Sequence, residues 1–327
     1  SHGVEKRSKV RSRIVADQLV KLIKEADHVV IMGHRMSDLD AIGSAEGVLR
    51  ICKICDVPAV IAVRRDATLA GSLINALIAA GQEDDFIDPK GALPIISQRT
   101  LCIVVDTYQL GLVESREILE KCGKVAVIDH HRKGVGFIEK ADLVCHEPYA
   151  SSASELVTEF LQYVGDRDDK PNRIEAEGLL SGIMLDTRDF TLHTGVRTFE
   201  AAAALRRYGA ETEHVRQLFD VSMVEYTTKA RLVSEAQMYR GCAITVSGEV
   251  APEARVAIAQ AANDLLTIQN VEASFVAVQV GGGVNISARS LGAVNVQVIM
   301  ESLGGGGHQT MAAAQLKHIT PEAAHSR

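Results

Sequence analysis

At 327 residues and 46% hydrophobic content the chain can bury more than one ordinary core, so two domains are expected. A net charge of −7 and a pI near 5.9 argue against a protein that coats long nucleic acid through a basic surface, and leave room for a small or short anionic ligand. No run of roughly 18 uncharged apolar residues occurs and the start has no apolar signal core, so the chain reads as a water-soluble piece that does not span a bilayer.

Ser1-His2-Gly3 reads as the scar of a removed tag, and the basic run from Lys6 to Arg13 follows with no folded element before it, as expected of an excised fragment. Helical spacing of apolar residues from Ile14 to Ala26 predicts a helix, and His28 to Met32 a buried strand ending at Gly33. Apolar runs at Ala59 to Val63, Leu101 to Val105 and Val125 to Ile128 repeat the pattern, separated by helical stretches and short turns. This alternation predicts an α/β fold with a parallel, helix-covered sheet. Ser152 and Glu155 suggest a capping box opening a helix through Gln162, and further helices are expected over Ile174 to Leu185 and Thr198 to Tyr208.

The charged, proline-free stretch from Glu211 to about Met238 reads as one or two connecting helices. Beyond it, Ala243 to Val246, Ala273 to Val280 and Asn285 to Ala288 predict strands, with Gly281-Gly282-Gly283 as a hairpin turn between the last two. The expected organisation is a parallel-sheet catalytic domain over 14–212, a helical connector over 213–238 and a smaller mixed α/β domain over 239–320. The six cysteines, Cys52, Cys55, Cys102, Cys122, Cys145 and Cys242, have no framework spacing, as suits reduced thiols in cytosol. Cys52-Lys53-Ile54-Cys55 matches CxxC but lacks a second pair, and reads as two small core residues on one helix face.

Acidic residues punctuate the apolar runs. GHRMSDLDAIGSA places His34, Asp38 and Asp40 just past the first strand, LCIVVDT ends the third run in Asp106, VAVIDHH ends the fourth in Asp129-His130-His131, and IMLDT brings a helix end to Asp186. Carboxylates beside a core are costly unless a partner supplies positive charge, and open α/β sheets bind ligands at the strand ends where these residues fall. Carboxylate plus imidazole, with no cysteine in the set, suits Mn²⁺, with Mg²⁺ or Co²⁺ as alternatives, better than structural zinc. Singly, Asp38 or Asp40 could instead cap a helix beginning near Ala41, and Asp106 could stabilise a turn.

GHRMSDLDAIGSA, VVDT, DHH and MLDT, in this order, resemble the four motifs of the DHH phosphoesterases, a resemblance that extends from about Ile14 to Leu316. It implies two Mn²⁺ ions, one held by His34, Asp38 and Asp106, the other by Asp40, Asp106, His130 and Asp186, with Asp106 bridging. Such a pair of ions can activate water and stabilise the leaving oxygen of a phosphodiester. Asp129 is then expected to orient or polarise a metal-bound group, and His131 to face the substrate phosphate or protonate its leaving oxygen.

Near the end, VNISARSLGAVNVQVIMESLGGGGHQTMAAAQL joins an arginine on a predicted strand, an asparagine opening a helix, and four glycines before His308. Glycines let backbone N–H groups approach an anion closely, and arginine can fork onto a phosphate or stack on a base. The stretch resembles the DHH-associated C-terminal domain, which implies substrate-binding roles for Ser287, Arg289, Gly305, Gly306 and His308. Many relatives carry a glycine shortly after a helix-start alanine here, where this chain reads Met311-Ala312-Ala313-Ala314. The basic signature of the pyrophosphatase branch is missing.

Within the family, RecJ-like exonucleases add a DNA-binding domain of which nothing is visible, so no long nucleic acid is expected as a partner. The first motif, Met36-Ser37-Asp38-Leu39-Asp40, resembles that of the membrane-anchored cyclic-di-AMP phosphodiesterases. The resemblance implies hydrolysis of cyclic-di-AMP to linear pApA, with slower action on other cyclic dinucleotides. It also implies a cytoplasmic fragment of a parent anchored at the cytoplasmic face of the membrane, and a homodimer. A hydrolase of pApA and short oligonucleotides of the nanoRNase type, and a non-catalytic nucleotide receptor, are the competing expectations.

Overall fold

In the computed structural model, residues 2–131, 136–250, 255–317, 319–321 and 323 are described. They fall into two compact units, Ser1–Phe219 and Asp220–Arg327.

The first unit runs α1 (His2–Glu25), β1 (His28–Met32), α2 (Leu39–Ile54), β2 (Ala59–Ala62), α3 (Gly71–Ala79), β3 (Phe86–Ile87), α4 (Pro89–Ala92), β4 (Thr100–Val105), α5 (Arg116–Lys121), β5 (Lys124–Asp129), β6 (Leu143–His146), α6 (Ala153–Leu161), α7 (Arg173–Thr187), α8 (Val196–Arg207) and α9 (Thr212–Gln217). Its six strands form one parallel sheet in the order β3-β2-β1-β4-β5-β6. The order reverses between β1 and β4, which opens a crevice at their carboxyl ends. Alternate residues of the central strands feed two cores. Val29, Ile31, Ile103, Val105 and Ile128 join one cluster with α1, α2, α6 and α7, while Val30, Met32, Val104 and Val127 join the other with Ile118 of α5. Both faces are therefore covered, and the strands read as continuous apolar runs for that reason.

Helices α2 and α7 meet through glycine. A Cβ on Gly43 would stand 2.3 Å from the Gly178 carbonyl oxygen, and one on Gly182 would stand 2.8 Å from Asp40 Cα and 2.3 Å from Ser154 Oγ. Only hydrogen fits at that contact. Of the CxxC pair, Cys52 is buried in the core, but Cys55 is the half-buried C-cap of α2 rather than a second helix-face residue. Ser152 caps α6 by accepting the Glu155 N–H, yet the reciprocal half of the expected box is absent, because the Glu155 carboxylate accepts from Ser151 instead.

The second unit runs α10 (Met223–Ser234), β7 (Gln237–Tyr239), β8 (Cys242–Glu249), α11 (Arg255–Leu265), β9 (Ala273–Val280), β10 (Gly283–Ser290), α12 (Val296–Ser302), β11 (Gly306–His308) and β12 (Met311–Lys317). Its sheet has the order β11-β12-β10-β9-β8-β7 and is mixed, with β8 and β9 parallel and the other neighbours antiparallel. The stretch read as a helix start at Met311 to Ala314 is β12. Its burial alternates residue by residue, with Ala312, Ala314 and Leu316 inward, so pairing with β10 overrides the helix preference of alanine.

Candidate metal centre

The first motif begins in the turn after β1. Asp38 caps α2 by accepting the Ala41 N–H at 3.0 Å, the capping role open to it on sequence grounds, and still presents Oδ1 3.6 Å from His34 Nε2. His34 Nδ1 lies 2.8 Å from the Arg35 carbonyl oxygen, which can only accept, so Nδ1 carries the proton. The Nε2 lone pair of a neutral His34 then faces Asp106 Oδ2 at 3.2 Å as well as Asp38. Lone pair against carboxylate is repulsive unless a proton or a cation stands between them.

Asp106 leaves the end of β4 in the left-handed region, with φ of 62°, tied by its N–H to the Ile128 carbonyl at 2.9 Å. Aspartate tolerates that conformation better than most residues, and here it swings the carboxylate across the crevice. Oδ2 faces His34, while Oδ1 lies 3.3 Å from His130 Nε2. His130 Nε2 is also 3.0 Å from Asp186 Oδ2 and 3.7 Å from Asp40 Oδ2, yet it makes no well-aligned hydrogen bond to any of the three. Asp106 Oδ1 and Asp129 Oδ2 are likewise buried without a hydrogen-bond partner.

Asp40 is fully buried at the start of α2. Its two oxygens accept the Ala153 and Ser154 N–H groups at 2.9 and 2.8 Å, the otherwise unpaired donors at the start of α6. Burial, then the charges of Asp106 and Asp186, push the Asp40 carboxyl well above the usual range, and burial with Asp106 and Asp38 also raises Asp186 against the pull of His130. Burial would lower His34 and His130, but their carboxylate neighbours outweigh it and hold both well above the ordinary imidazole value. Burial would raise Asp106, and the flanking His130 and His34 hold it well below instead. The set therefore has more negative charge than its imidazoles can offset.

Candidate ligand atoms of Asp40, Asp106, His130 and Asp186 lie within 4.8 Å of one another, and so do those of His34, Asp38 and Asp106. Asp106 belongs to both groups. All donors are oxygen or imidazole nitrogen, with charge to spare and a buried Nε2 aimed at the middle, so the residues fit hard to borderline divalent cations.

Asp129, the last residue of β5, accepts from His131 Nδ1 at 2.7 Å and so fixes that ring, which lies 4.4 Å from the His130 ring at 42°. The main chain of His131 is held by His146 Nε2, which donates to its carbonyl oxygen. Glu147 N–H donates to the Asp129 carbonyl at 3.0 Å, and the Glu147 carboxylate pairs with Arg197, which also forks onto Glu159. None of these supports had a motif. Backbone donors at Ala153 and Ser154 leave no residue signature, and Glu147, Glu159 and Arg197 read as ordinary charged positions.

In the second unit, Arg289 is buried on β10. Its Nε donates to Asn263 Oδ1 at 3.0 Å and its Nη1 to Ser287 Oγ at 3.1 Å and the Ala288 carbonyl at 2.9 Å, so Asn263 is an unforeseen support. The glycines form a turn and an edge strand. Gly305 would clash with the Ala313 carbonyl if it carried a Cβ, at 2.1 Å, and Gly306 pairs with Ala313. His308 pairs in register with Met311; its side chain lies outside the described residues.

Among family models, "DHH family, N-terminal domain" matches residues 28–183 and "DHHA1 domain" matches 250–325. The chain is 47% identical to a protein named cyclic-di-AMP phosphodiesterase GdpP from Geobacillus thermodenitrificans, covering 98% of this chain and 49% of that one. It is 42% identical to cyclic-di-AMP phosphodiesterase PdeA of Listeria monocytogenes, with the same coverage of 98% and 49%. The chain thus spans about half the length of the curated relatives it matches. An exopolyphosphatase-related protein from Bacteroides fragilis has the same fold, with a TM-score of 0.80 at 20% identity over 95% of this chain and 94% of that one. No helix among the described residues is long and apolar enough to cross a membrane.

Proposed function

On the premise that the chain belongs to the DHH family, carrying its N-terminal domain and a DHHA1 domain, we propose that it hydrolyses one phosphodiester of cyclic-di-AMP to give linear pApA. The observation that carries the reading is Asp106, whose two oxygens face His34 and His130 separately, at the centre of two overlapping ligand sets. His34, Asp38 and Asp106 would hold one Mn²⁺, and Asp40, Asp106, His130 and Asp186 a second. When bound, such ions supply the positive charge that helps water lose a proton and offsets charge growing on the phosphoryl oxygens.

The chain's own residues do the rest. Asp129 accepts from His131 Nδ1 and so orients the ring; in the imidazolium form its Nε2–H would donate to a phosphoryl oxygen or pass its proton to the departing 3′ oxygen. Water adds its hydroxyl to phosphorus, the P–O3′ bond breaks, and the 3′ oxygen leaves protonated, giving a 5′-phosphate at one end of the product. Arg289, set in place by Asn263 and Ser287, would bind the nucleotide end of the substrate, together with Gly305, Gly306 and His308. The setting we assign is a membrane-anchored parent with this portion on the cytoplasmic side, acting as a homodimer.

The test is chromatography of cyclic-di-AMP and pApA after incubation, side by side, with purified chain and Mn²⁺. Conversion of cyclic-di-AMP to pApA is expected. Unchanged substrate after EDTA treatment and Mn²⁺ re-addition would sink the assignment, and faster turnover of pApA would replace it with a short-oligonucleotide hydrolase.

A further inference from the structure

Two chain segments that leave the metal centre flank an open cleft of about 610 Å³. One wall is Pro148 to Ala150; the other is Thr191 with His193 to Gly195. A volume of this order is that of a small-ligand site.

The first wall is a short loop tied to the centre at both ends. Glu147 N–H donates to the Asp129 carbonyl, Ala150 N–H to the Glu147 carbonyl at 3.0 Å, and Ala153 N–H to Asp40 Oδ2. Ala150 is buried, yet Tyr149 beside it is 95% exposed. A large aromatic ring thus stands in solvent on a loop whose two ends are hydrogen-bonded to the centre. The segment that carries the second wall begins where α7 ends at Thr187, one residue after Asp186. Arg188, Asp189 and Phe190 all have positive φ, at 45°, 54° and 64°, and His193 follows at 48°. Three consecutive non-glycine residues in the left-handed region are unfavourable and persist only where surroundings impose them. Here Thr187 imposes them. Its Oγ1 accepts the Phe190 N–H at 3.0 Å and its carbonyl accepts the Thr191 and Leu192 N–H groups at 2.8 Å, while Phe190 stacks on Phe199 with centroids 5.5 Å apart.

We infer that this cavity is a nucleobase subsite, in which one base of the dinucleotide stacks on the Tyr149 ring and turns its polar edge toward His193. The flat, sequence-tolerant face of an aromatic ring suits a purine, and the imidazole carries both a donor and an acceptor for its edge. Tyr149 then acts on binding rather than on the bond broken. The choice of ligand rests on the phosphodiesterase reading; the position of the subsite rests on the two walls.

The experiment measures equilibrium binding to the full chain with Ca²⁺ in place of Mn²⁺, ligand integrity being checked by chromatography. Wild type, Tyr149→Phe and Tyr149→Ala are each titrated with cyclic-di-AMP and with its doubly abasic cyclic analogue. Y149A should bind cyclic-di-AMP roughly 5- to 150-fold more weakly, the range for losing one base–aromatic stack, while Y149F matches wild type. All three should bind the abasic analogue alike. Equal weakening of both ligands by Y149A, no weakening of either, or no binding of cyclic-di-AMP by wild type would overturn the inference. Because the ring is exposed, Y149A should keep the wild-type melting temperature. Wild type that binds but does not hydrolyse cyclic-di-AMP with Mn²⁺ would refute the proposed reaction and leave the subsite standing.

Discussion

Replacing Gly182 with alanine tests whether the spacing of α2 and α7 sets the metal centre. The new methyl would sit 2.3 Å from Ser154 Oγ, 2.8 Å from Asp40 Cα and 2.9 Å from Asp40 Oδ1. Serine can rotate, but Asp40 Cα is main chain at the start of α2, so the helices must part by roughly 1 Å to reach ordinary contact. Overpacking of this kind costs about 1–3 kcal/mol, and a contact to main chain belongs at the upper end. Alanine returns about 1 kcal/mol of helix propensity, for a net loss of about 2 kcal/mol. In a unit of this size that is a fall of roughly 4–8 °C in melting temperature. The same shift pulls Asp40 from the Ala153 and Ser154 N–H groups, and displacement of about 1 Å can cost on the order of 100-fold in turnover. Thermal melts, Mn²⁺ titration calorimetry and cyclic-di-AMP turnover are read together. Gly71→Ala, whose Cβ meets nothing within 4 Å, is the control and should be neutral or slightly stabilising. A G182A protein with wild-type melting temperature and Mn²⁺ affinity would refute the reasoning.

Asp106→Asn should abolish turnover and weaken Mn²⁺ binding by more than about 100-fold, since the carboxylate belongs to both ligand sets; calorimetry showing two unaltered sites would contradict the bridging role. Glu46 is fully buried on α2 with neither oxygen hydrogen-bonded, and burial, then Asp85 and Glu175, push its carboxyl well above the ordinary value. Its folded-state pKa exceeds its unfolded one, so its stability contribution is present below about pH 4 and lost as pH rises through the folded value. Glu46→Gln should therefore raise the melting temperature at pH 8 and leave it nearly unchanged near pH 4; denaturation across that range checks the trend, and an equal shift at both ends would oppose it.

The residues that converge on the centre were legible because each falls at or just past the end of an apolar run. His28 to Met32, Leu101 to Val105 and Val125 to Ile128 are central strands buried on both faces, so burial wrote itself into composition, and the acids after them stood out. Short edge strands such as β3 and β6 carry too little burial to leave a pattern. The alanines of β12 misled because their side chains say little about backbone state, which the partner strand decides. Likewise, the left-handed residues from Arg188 to Phe190 carry no glycine or asparagine to announce them, since Thr187 enforces the turn.

The candidate ligand residues run from His34 to Asp186, spread over the carboxyl ends of β1, β4 and β5, the start of α2 and the end of α7, and no two adjacent elements of the chain hold a complete set. This gives the centre a kinetic meaning. Long-range pairing must close most of the parallel sheet before either set exists, so folding is governed by slow, distant contacts, and a cation held by these sets would bind only once the sheet had closed. Interactions absent from the transition state act on the escape rate, so metal loading should slow unfolding while leaving the folding rate almost unchanged. The persistence time of the folded chain would then depend on the free divalent-ion concentration around it, through the same carboxylates that would do the chemistry.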